Sequence, residues 1–325
     1  MINCNMERYR ILGFGLWAVC LKETGEMIGD GGLTMQPING KIKPEIGYHV
    51  RKDQQRKGYA KEAAIAVRDF KGRMECFMEY IRVTSENIDK EHICCAISND
   101  KDIQVISKKA WLRERFEDGL VFLKSTERGK CFIEYIPAEN AWNPICAEGY
   151  MYIDCLWVAG SFKGHGYGAD LLNACIEDSR SKGKKGVCIL SSKKKKPFLA
   201  DPKFLQYKGF KVCDEADNGI QLWYLPLEEN ASLPEFKECA KHPHIEEKGY
   251  VLYYTSQCPF NAKYVPIVEG VAKENGVPFQ AIHLQSKEEA QNAPTPVTTY
   301  ALFYDGAYLT NEQMNDKKFL KLLKG

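Results

Sequence analysis

No apolar run in the 325-residue chain reaches the roughly 18 residues that a membrane span requires. The opening residues, MINCNMERYRILGFG, carry neither the compact apolar region nor the small-residue cleavage site of a secretory leader. Charge of either sign is not in excess: 45 Lys and Arg face 43 Asp and Glu, a net charge of +2. That balance removes the global electrostatic argument for a nucleic-acid or membrane partner, and no basic–aromatic signature of nucleic-acid binding is present. The thirteen cysteines are odd in number and share no repeated spacing. Neither a disulfide framework nor a zinc ribbon follows, and a reduced, cytoplasmic protein is expected. Cys239, His242 and His244 are crowded into one short stretch that fits no standard zinc spacing, so no metal is expected.

Hydrophobic residues make up 44% of the chain, ample for a core, and the length suggests two domains or three small ones. The most informative stretch runs from Tyr150 to Glu177. Tyr152, Ile153, Leu156, Trp157 and Val158 read as a buried strand. Gly160-Ser161-Phe162-Lys163-Gly164-His165-Gly166-Tyr167-Gly168 follows, then a helix with apolar residues at Leu171, Leu172, Cys175 and Ile176. A strand, a glycine-rich turn and a helix start make an anion site, because first-turn N–H groups lack intrahelical partners and the helix dipole is positive there. Glycines at 164, 166 and 168 let the backbone approach a ligand with no Cβ in the way. The turn lacks the Lys-Ser/Thr ending of a Walker loop. No strand ending in an acidic residue follows about twenty residues on, as a dinucleotide site would require.

The spacing Ser161-x-x-Gly164-x-Gly166 resembles motif A of the GNAT acetyltransferases, Gln/Arg-x-x-Gly-x-Gly/Ala, with Ser161 departing from the usual first residue. A second copy occurs earlier as Gln55-Arg56-Lys57-Gly58-Tyr59-Ala60 before a helix over 61–70. Pro44-Glu45-Ile46-Gly47-Tyr48-His49-Val50 ahead of it resembles the central strand of ribosomal-protein-type GNAT enzymes. Strands are expected over 16–20, 25–33 and 46–50, so residues 1–73 form a partial GNAT unit. Its open sheet edge favours association into a homo-oligomer.

Residues 78–228 supply a full set of elements. A strand over 80–83 is followed by helices over 86–96 and 102–116, a hairpin over 120–137, and the central strand and phosphate-site helix. A strand over 186–191, a short helix over 202–208 and two closing strands complete the order. Residues 229–248 read as a polar linker. Residues 249–325 are similar to thioredoxin-type domains, with a strand over 250–254, Cys258 opening a helix, and Pro296 or Pro294 placed as a cis-proline. Asn261 stands where C-x-x-C would have its second cysteine. The whole of 78–325 resembles the YoaP-type acetyltransferases. The expected class is therefore α/β (α+β): a GNAT acyl-CoA acyltransferase fold preceded by a partial GNAT unit and followed by a thioredoxin-like α/β domain.

The resemblance implies acetyl-CoA as cosubstrate and an amine of a small molecule or peptide as acceptor, attacked directly on the thioester. It implies that Leu156, Trp157 and Val158 face the pantetheine, and that Ser161 to Gly168 cradle the pyrophosphate. Lys193 to Lys196 is either a solvated loop or a contact for the 3′-phosphate. Glu134 and Asp154, on the third and fourth strands, are candidate bases. The usual tyrosine acid falls at Leu205, leaving Tyr207 as the candidate acid. A different reading makes Cys258, a thiol at a helix start, the functional group of a thiol-handling protein whose GNAT part only binds or senses CoA.

Overall fold

The structure is a computed structural model that describes residues 15–38, 41–73, 78–95 and 99–324. The chain divides into two compact units, residues 1–79 and 80–325.

In the first unit, β1 (Leu16–Cys20), β2 (Met27–Ile38) and β3 (Lys41–Val50) form an antiparallel sheet in that order. α1 (Tyr59–Arg73) packs on β2 and β3. Two glycines set how closely the strands approach. A Cβ at Gly29 would sit 2.1 Å from the His49 carbonyl oxygen, and one at Gly32 would sit 1.9 Å from that of Gly15. Leu33 and Val67 are buried against Trp17 and Ile46. β3 bonds only to β2, so its outer edge is unpaired among the described residues. The strands run longer than the expected 25–33 and 46–50 because β2 and β3 extend into a long two-stranded ribbon.

The second unit is built on a seven-stranded sheet. Its strands are β4 (Tyr80–Val83), β5 (Val121–Ser125), β6 (Cys131–Pro137), β8 (Tyr150–Val158), β9 (Gly186–Ser192), β10 (Lys211–Glu215) and β11 (Ile220–Pro226), in the order β10-β11-β9-β8-β6-β5-β4. Only β8 and β9 are parallel neighbours. α3 (Tyr167–Ser181) covers one face against β6, β8 and β9, burying Leu171, Leu172 and Cys175. The other face, through Phe122, Phe132, Tyr150, Tyr152 and Leu222, meets α2 (Ile103–Phe116) in one core. α2 starts at Asp102, whose carboxylate accepts the Gln104 N–H. α4 (Pro202–Tyr207) starts likewise at Asp201.

Residues 86–95 depart from the expected helix and form turns; position 96 lies outside the described residues. Asn87 ties the first of these turns to β4. Its carboxamide accepts the Thr84 N–H and donates to the Arg82 carbonyl, satisfying backbone groups in a non-helical path.

The C-terminal part has its own sheet, ordered β14-β13-β15-β16: β13 (Tyr250–Tyr254), β14 (Phe279–His283), β15 (Tyr300–Tyr304) and β16 (Ala307–Thr310). β13 and β14 are parallel and the others antiparallel. α6 (Phe260–Glu274) connects β13 to β14, and α8 (Asp316–Lys324) packs on α6. α7 (Lys287–Gln291) lies between β14 and β15. Asp305 and Gly306 both have positive φ, as the expected tight hairpin turn requires.

The stretch 229–248 is integrated into the fold rather than extended. β12 (Glu235–Phe236) pairs with β7 (Ile145–Cys146), Phe236 is buried, and α5 (Glu238–Lys241) follows. The core that covers the large sheet includes Leu284, Ala290, Ala293 and Val297 from the C-terminal part. Asn143 donates to the Pro296 carbonyl and Thr298 to the Trp142 carbonyl. All peptide bonds of the described residues are trans, so the expected cis-proline at Pro296 or Pro294 is not found. No helix among the described residues is long and apolar enough to cross a membrane.

Candidate active site

β8 bonds to β6 along its whole length but to β9 only from Tyr150 to Ile153. From Asp154 to Val158 its other edge is open, and these residues are half-buried. The opening starts at an irregularity: Glu134 pairs with Cys155 and Tyr135 with Ile153, so Asp154 is the extra residue of a β-bulge. Leu156, Trp157 and Val158 follow along the open edge. Trp157 packs edge-on to Phe132, with the Lys130 ammonium 4.5 Å from its ring centroid.

The open edge runs into the glycine turn. Gly160 to Phe162 form one 3₁₀ turn, and Gly160, Gly164 and Gly166 have φ of 67°, 85° and 84°. Those conformations favour glycine. α3 begins at Tyr167, its first backbone bonds being Ala169 and Asp170 N–H to the Gly166 carbonyl. Phe162 is the turn's anchor. It is buried over Gly129 of the β5–β6 hairpin, where a Cβ would lie 2.0 Å from the ring. Ser161, Lys163, Gly164, His165 and Gly166 are exposed, while Tyr167 is buried and Gly168 half-buried. The His165 ring stacks on Tyr167 at 5.6 Å. Lys195 pairs with Asp201 at 2.9 Å, and Lys196 donates to the Asn218 carbonyl; Lys193 and Lys194 are exposed.

The first unit repeats the local form. A 3₁₀ turn over Lys52–Gln54 leads through Arg56 (φ 65°) and Gly58 (φ 91°) to α1 at Tyr59. Gln55 ties this turn to its strand by donating to the Val50 carbonyl at 2.9 Å. Lys57 donates to Gln54, and Ala60 lies in the first turn of α1. An open cleft of about 610 Å³ beside it is lined by Trp17, Val19, Ile28, Tyr59, Ala63 and Val67.

Beneath the bulge in the second unit lies a charge cluster. Glu134 and Lys108 are each 1% exposed. The Lys108 ammonium donates to both Glu134 carboxylate oxygens, at 2.8 and 2.6 Å, and to the Gln257 carbonyl at 2.7 Å. All three ammonium hydrogens are thereby used. Burial alone would lower the Lys108 pKa; the Glu134 carboxylate overrides that and leaves it raised. Asp154 is driven well above the ordinary carboxylate range by desolvation, reinforced by the Glu134 charge and opposed by Lys108. The cluster therefore holds one ammonium, one carboxylate and one carboxyl that keeps its proton readily.

Three thiols surround this cluster. Cys155 is opposite Glu134 on β8, Cys95 is buried before α2, and Cys258 directly follows Gln257. Burial raises all three, Cys258 to about 11; the Phe260 N–H and the Lys108 charge oppose the rise at Cys258. Asn261, 1% exposed, ties the same turn down. It donates to the Thr255 and Thr299 carbonyls and accepts from Gln313.

The structure thus brings Glu134 and Asp154 together, with Cys258 beside them. Tyr207 is not part of the cluster: it ends α4 at 83% exposure, with the Lys208 ammonium 5.6 Å from its ring centroid. Leu205 is buried. His242 bonds to Asp217 at 2.7 Å, and His244 bridges Ala307 through its backbone. Sequence reasoning missed Lys108. Its signal was present: Val105, Lys108, Lys109 and Leu112 follow helical spacing and all are buried, which sets two lysines on an apolar face.

Family models match the chain three times: a GNAT acetyltransferase domain at residues 3–110, the acetyltransferase GNAT family at 86–195, and a YoaP-like domain at 278–321. With the open central strand and the glycine turn, these matches place the chain in the GNAT acetyltransferase family, a family of acyltransferase enzymes. Within it, the chain is similar to an uncharacterised N-acetyltransferase, YoaP, of Bacillus subtilis (strain 168). The two are 44% identical over 247 residues, 76% of this chain and 98% of the relative. Solved structures similar to it include a ribosomal-protein-alanine N-acetyltransferase from Brucella melitensis (15% identity, TM-score 0.34, 46% of this chain and 100% of that one). Another is the PaiA N-acetyltransferase from Thermoplasma acidophilum in complex with coenzyme A (14% identity, TM-score 0.33, 46% and 99%).

Proposed function

We propose that the chain transfers an acetyl group from acetyl-CoA to an amine of a small molecule or peptide, by direct attack of the amine on the thioester. The observation that carries this reading is the opening of β8 from β9 after Ile153, immediately before a turn with glycines at positive φ. The pantetheine arm pairs with the free main chain of Leu156 and Val158 beside Trp157. The pyrophosphate rests on the N–H groups from Ser161 to Gly168, where the dipole of the 15-residue α3 is positive. These contacts supply position rather than chemistry.

The proton chemistry falls to Asp154. Both Glu134 oxygens are already held by Lys108, so Glu134 acts as a fixed charge that keeps the Asp154 proton affinity high. A carboxyl that keeps its proton at the start of the opening can give that proton to the departing CoA sulfur and take one back from the attacking amine. Tyr207, standing exposed, is not needed for that step.

Residues 1–73 act as a partial GNAT unit of ribosomal-protein type, 78–228 as the acetyltransferase domain and 229–248 as the connection. Residues 249–325 act as a thioredoxin-like domain that shapes the acceptor site. Support for the last is the β13–α6–β14 unit with β15 and β16 added antiparallel. The separate thiol-handling reading loses ground because the turn carrying Cys258 is bonded into the acetyltransferase core through Lys108.

The test is calorimetric titration of acetyl-CoA into the full chain and its Gly164→Glu and Gly58→Glu variants. One site, lost only in Gly164→Glu, is the expected result. Two sites, one lost in each variant, would make Gln55 to Ala60 a second working site. No binding would sink the reading.

A further inference from the structure

β9 leaves β8 after Ile153, so the half of β8 that leads into the glycine turn is paired on one side only. That side is β6, and the hairpin before β6 continues it. The hairpin meets the strand and the turn at three successive places. The Lys130 ammonium lies 4.5 Å from the centroid of the Trp157 ring. The Lys130 carbonyl accepts the Ala159 N–H at 2.8 Å, one residue beyond the Cys131–Val158 pair that ends β8. Gly129 then lies against the Phe162 ring, and both residues are buried. A Cβ at Gly129 would sit 2.0, 2.7 and 3.1 Å from Cε2, Cζ and Cδ2 of that ring. Gly129 is not one of the glycines with positive φ, so its backbone does not call for glycine. The ring does. Phe162 ends the 3₁₀ turn, where the Lys163 N–H bonds to the Gly160 carbonyl. Its ring also stands 6.2 Å from that of Tyr167, the first residue of α3. One side chain thus links the hairpin to both ends of the glycine turn.

We infer that Gly129 is a positioning residue for acetyl-CoA: lacking a side chain, it seats Phe162, and through Phe162 the β5–β6 hairpin holds the glycine turn in the shape that takes the pyrophosphate. The inference rests on the acetyl-CoA reading above. Gly129 is buried and has no side chain to offer a ligand. It acts before the ligand arrives, by keeping the N–H groups of the turn and of the start of α3 converged. A methyl group at 129 must displace the ring, because close packing leaves it no room. The displaced ring carries the backbone at 160–163 with it.

The test is calorimetric titration of acetyl-CoA into the full chain and into Gly129→Ala, Phe162→Leu and the double variant. Leucine removes Cε2 and Cζ, the two ring carbons that the methyl would strike first. Gly129→Ala should raise the Kd about tenfold in the unaltered background and less than about twofold in the Phe162→Leu background, a coupling usual for residues in contact. An unchanged Kd in Gly129→Ala overturns the inference. So does an equal loss in both backgrounds, since the effect would then not pass through Phe162. If circular dichroism shows Gly129→Ala unfolded, Phe162→Ala decides: it empties the seat without crowding it and should raise the Kd about tenfold, and an unchanged Kd there overturns the inference too. Failure of the unaltered chain to bind acetyl-CoA overturns the underlying reading instead.

Discussion

Replacing Lys108 and replacing Glu134 should have unequal costs, although the two side chains form one ion pair. In Lys108→Met the Glu134 carboxylate stays at 1% exposure with no cation, and the Gln257 carbonyl loses its donor. Stranding a buried charge in this way costs about 3–5 kcal/mol. In Glu134→Gln the ammonium keeps the Gln257 carbonyl and gains a neutral amide oxygen. Asp154, no longer facing the Glu134 charge, can shed its proton and become the counter-ion. The cost should then be about 1–2 kcal/mol, that of a weakened charged hydrogen bond. The double variant Lys108→Met/Glu134→Gln should be more stable than Lys108→Met alone, with a coupling of about 2–3 kcal/mol. Urea unfolding followed by circular dichroism at constant m-value measures all three. Equal costs for the two single variants, adding in the double, would refute both the coupling and the role of Asp154 as a charge reserve.

Asp154→Asn should lower the acetyl-transfer rate by about 10²–10⁴-fold while leaving acetyl-CoA binding intact, read from steady-state rates and calorimetry. Because the folded-state pKa of Asp154 is raised, its favourable contribution is complete below the ordinary value of 3.8 and is lost as pH rises through the folded value. The Asn variant should therefore be the more stable protein at pH 8, with the difference vanishing near pH 4; a variant less stable at pH 8 would contradict this. His92, beside buried Lys124, is lowered to about 4 by burial and by the Lys124 charge, from an ordinary 6.5. Its contribution is present above pH 6.5 and lost on descending toward pH 4, so His92→Gln should flatten the stability profile across that window. Asn261→Ala strands two carbonyls and Gln313 and should cost about 2–4 kcal/mol, measured by urea unfolding.

What the sequence made legible was what is local. Both glycine turns, the strands around them and the helices after them follow from composition over a few residues. The boundaries of β6 and β8 agree with the structure because apolar strands there end at glycine turns and prolines. Glu134 and Asp154 were visible as strand carboxylates, but their relation was not. A single-residue bulge changes which way Asp154 points, and no period in one strand reports an irregularity in the pairing of two. Lys108 lies 26 residues from Glu134, and Gln257 lies 149 residues from Lys108. Contacts at that separation leave a trace only as a charged residue on a helix's apolar side. The stretch expected as a helix over 86–96 forms isolated turns: i→i+4 bonds link Thr84 to Ile88 and Asn87 to Glu91 without a continuous helix among the described residues.

The bonds from Trp142 and Asn143 to Thr298 and Pro296 span 156 and 153 residues. They have a consequence during synthesis. The apolar face completed by Leu284, Ala290, Ala293 and Val297 stays uncovered after Trp142 is made, until the ribosome has added those residues. At roughly 5–20 residues per second that interval is on the order of 10–30 s. The nascent chain spends it with the core on the α2 side of its sheet incomplete. For this protein, a holdase chaperone or slow codons before residue 298 would act on the acetyltransferase half through residues that belong to the other end of the chain.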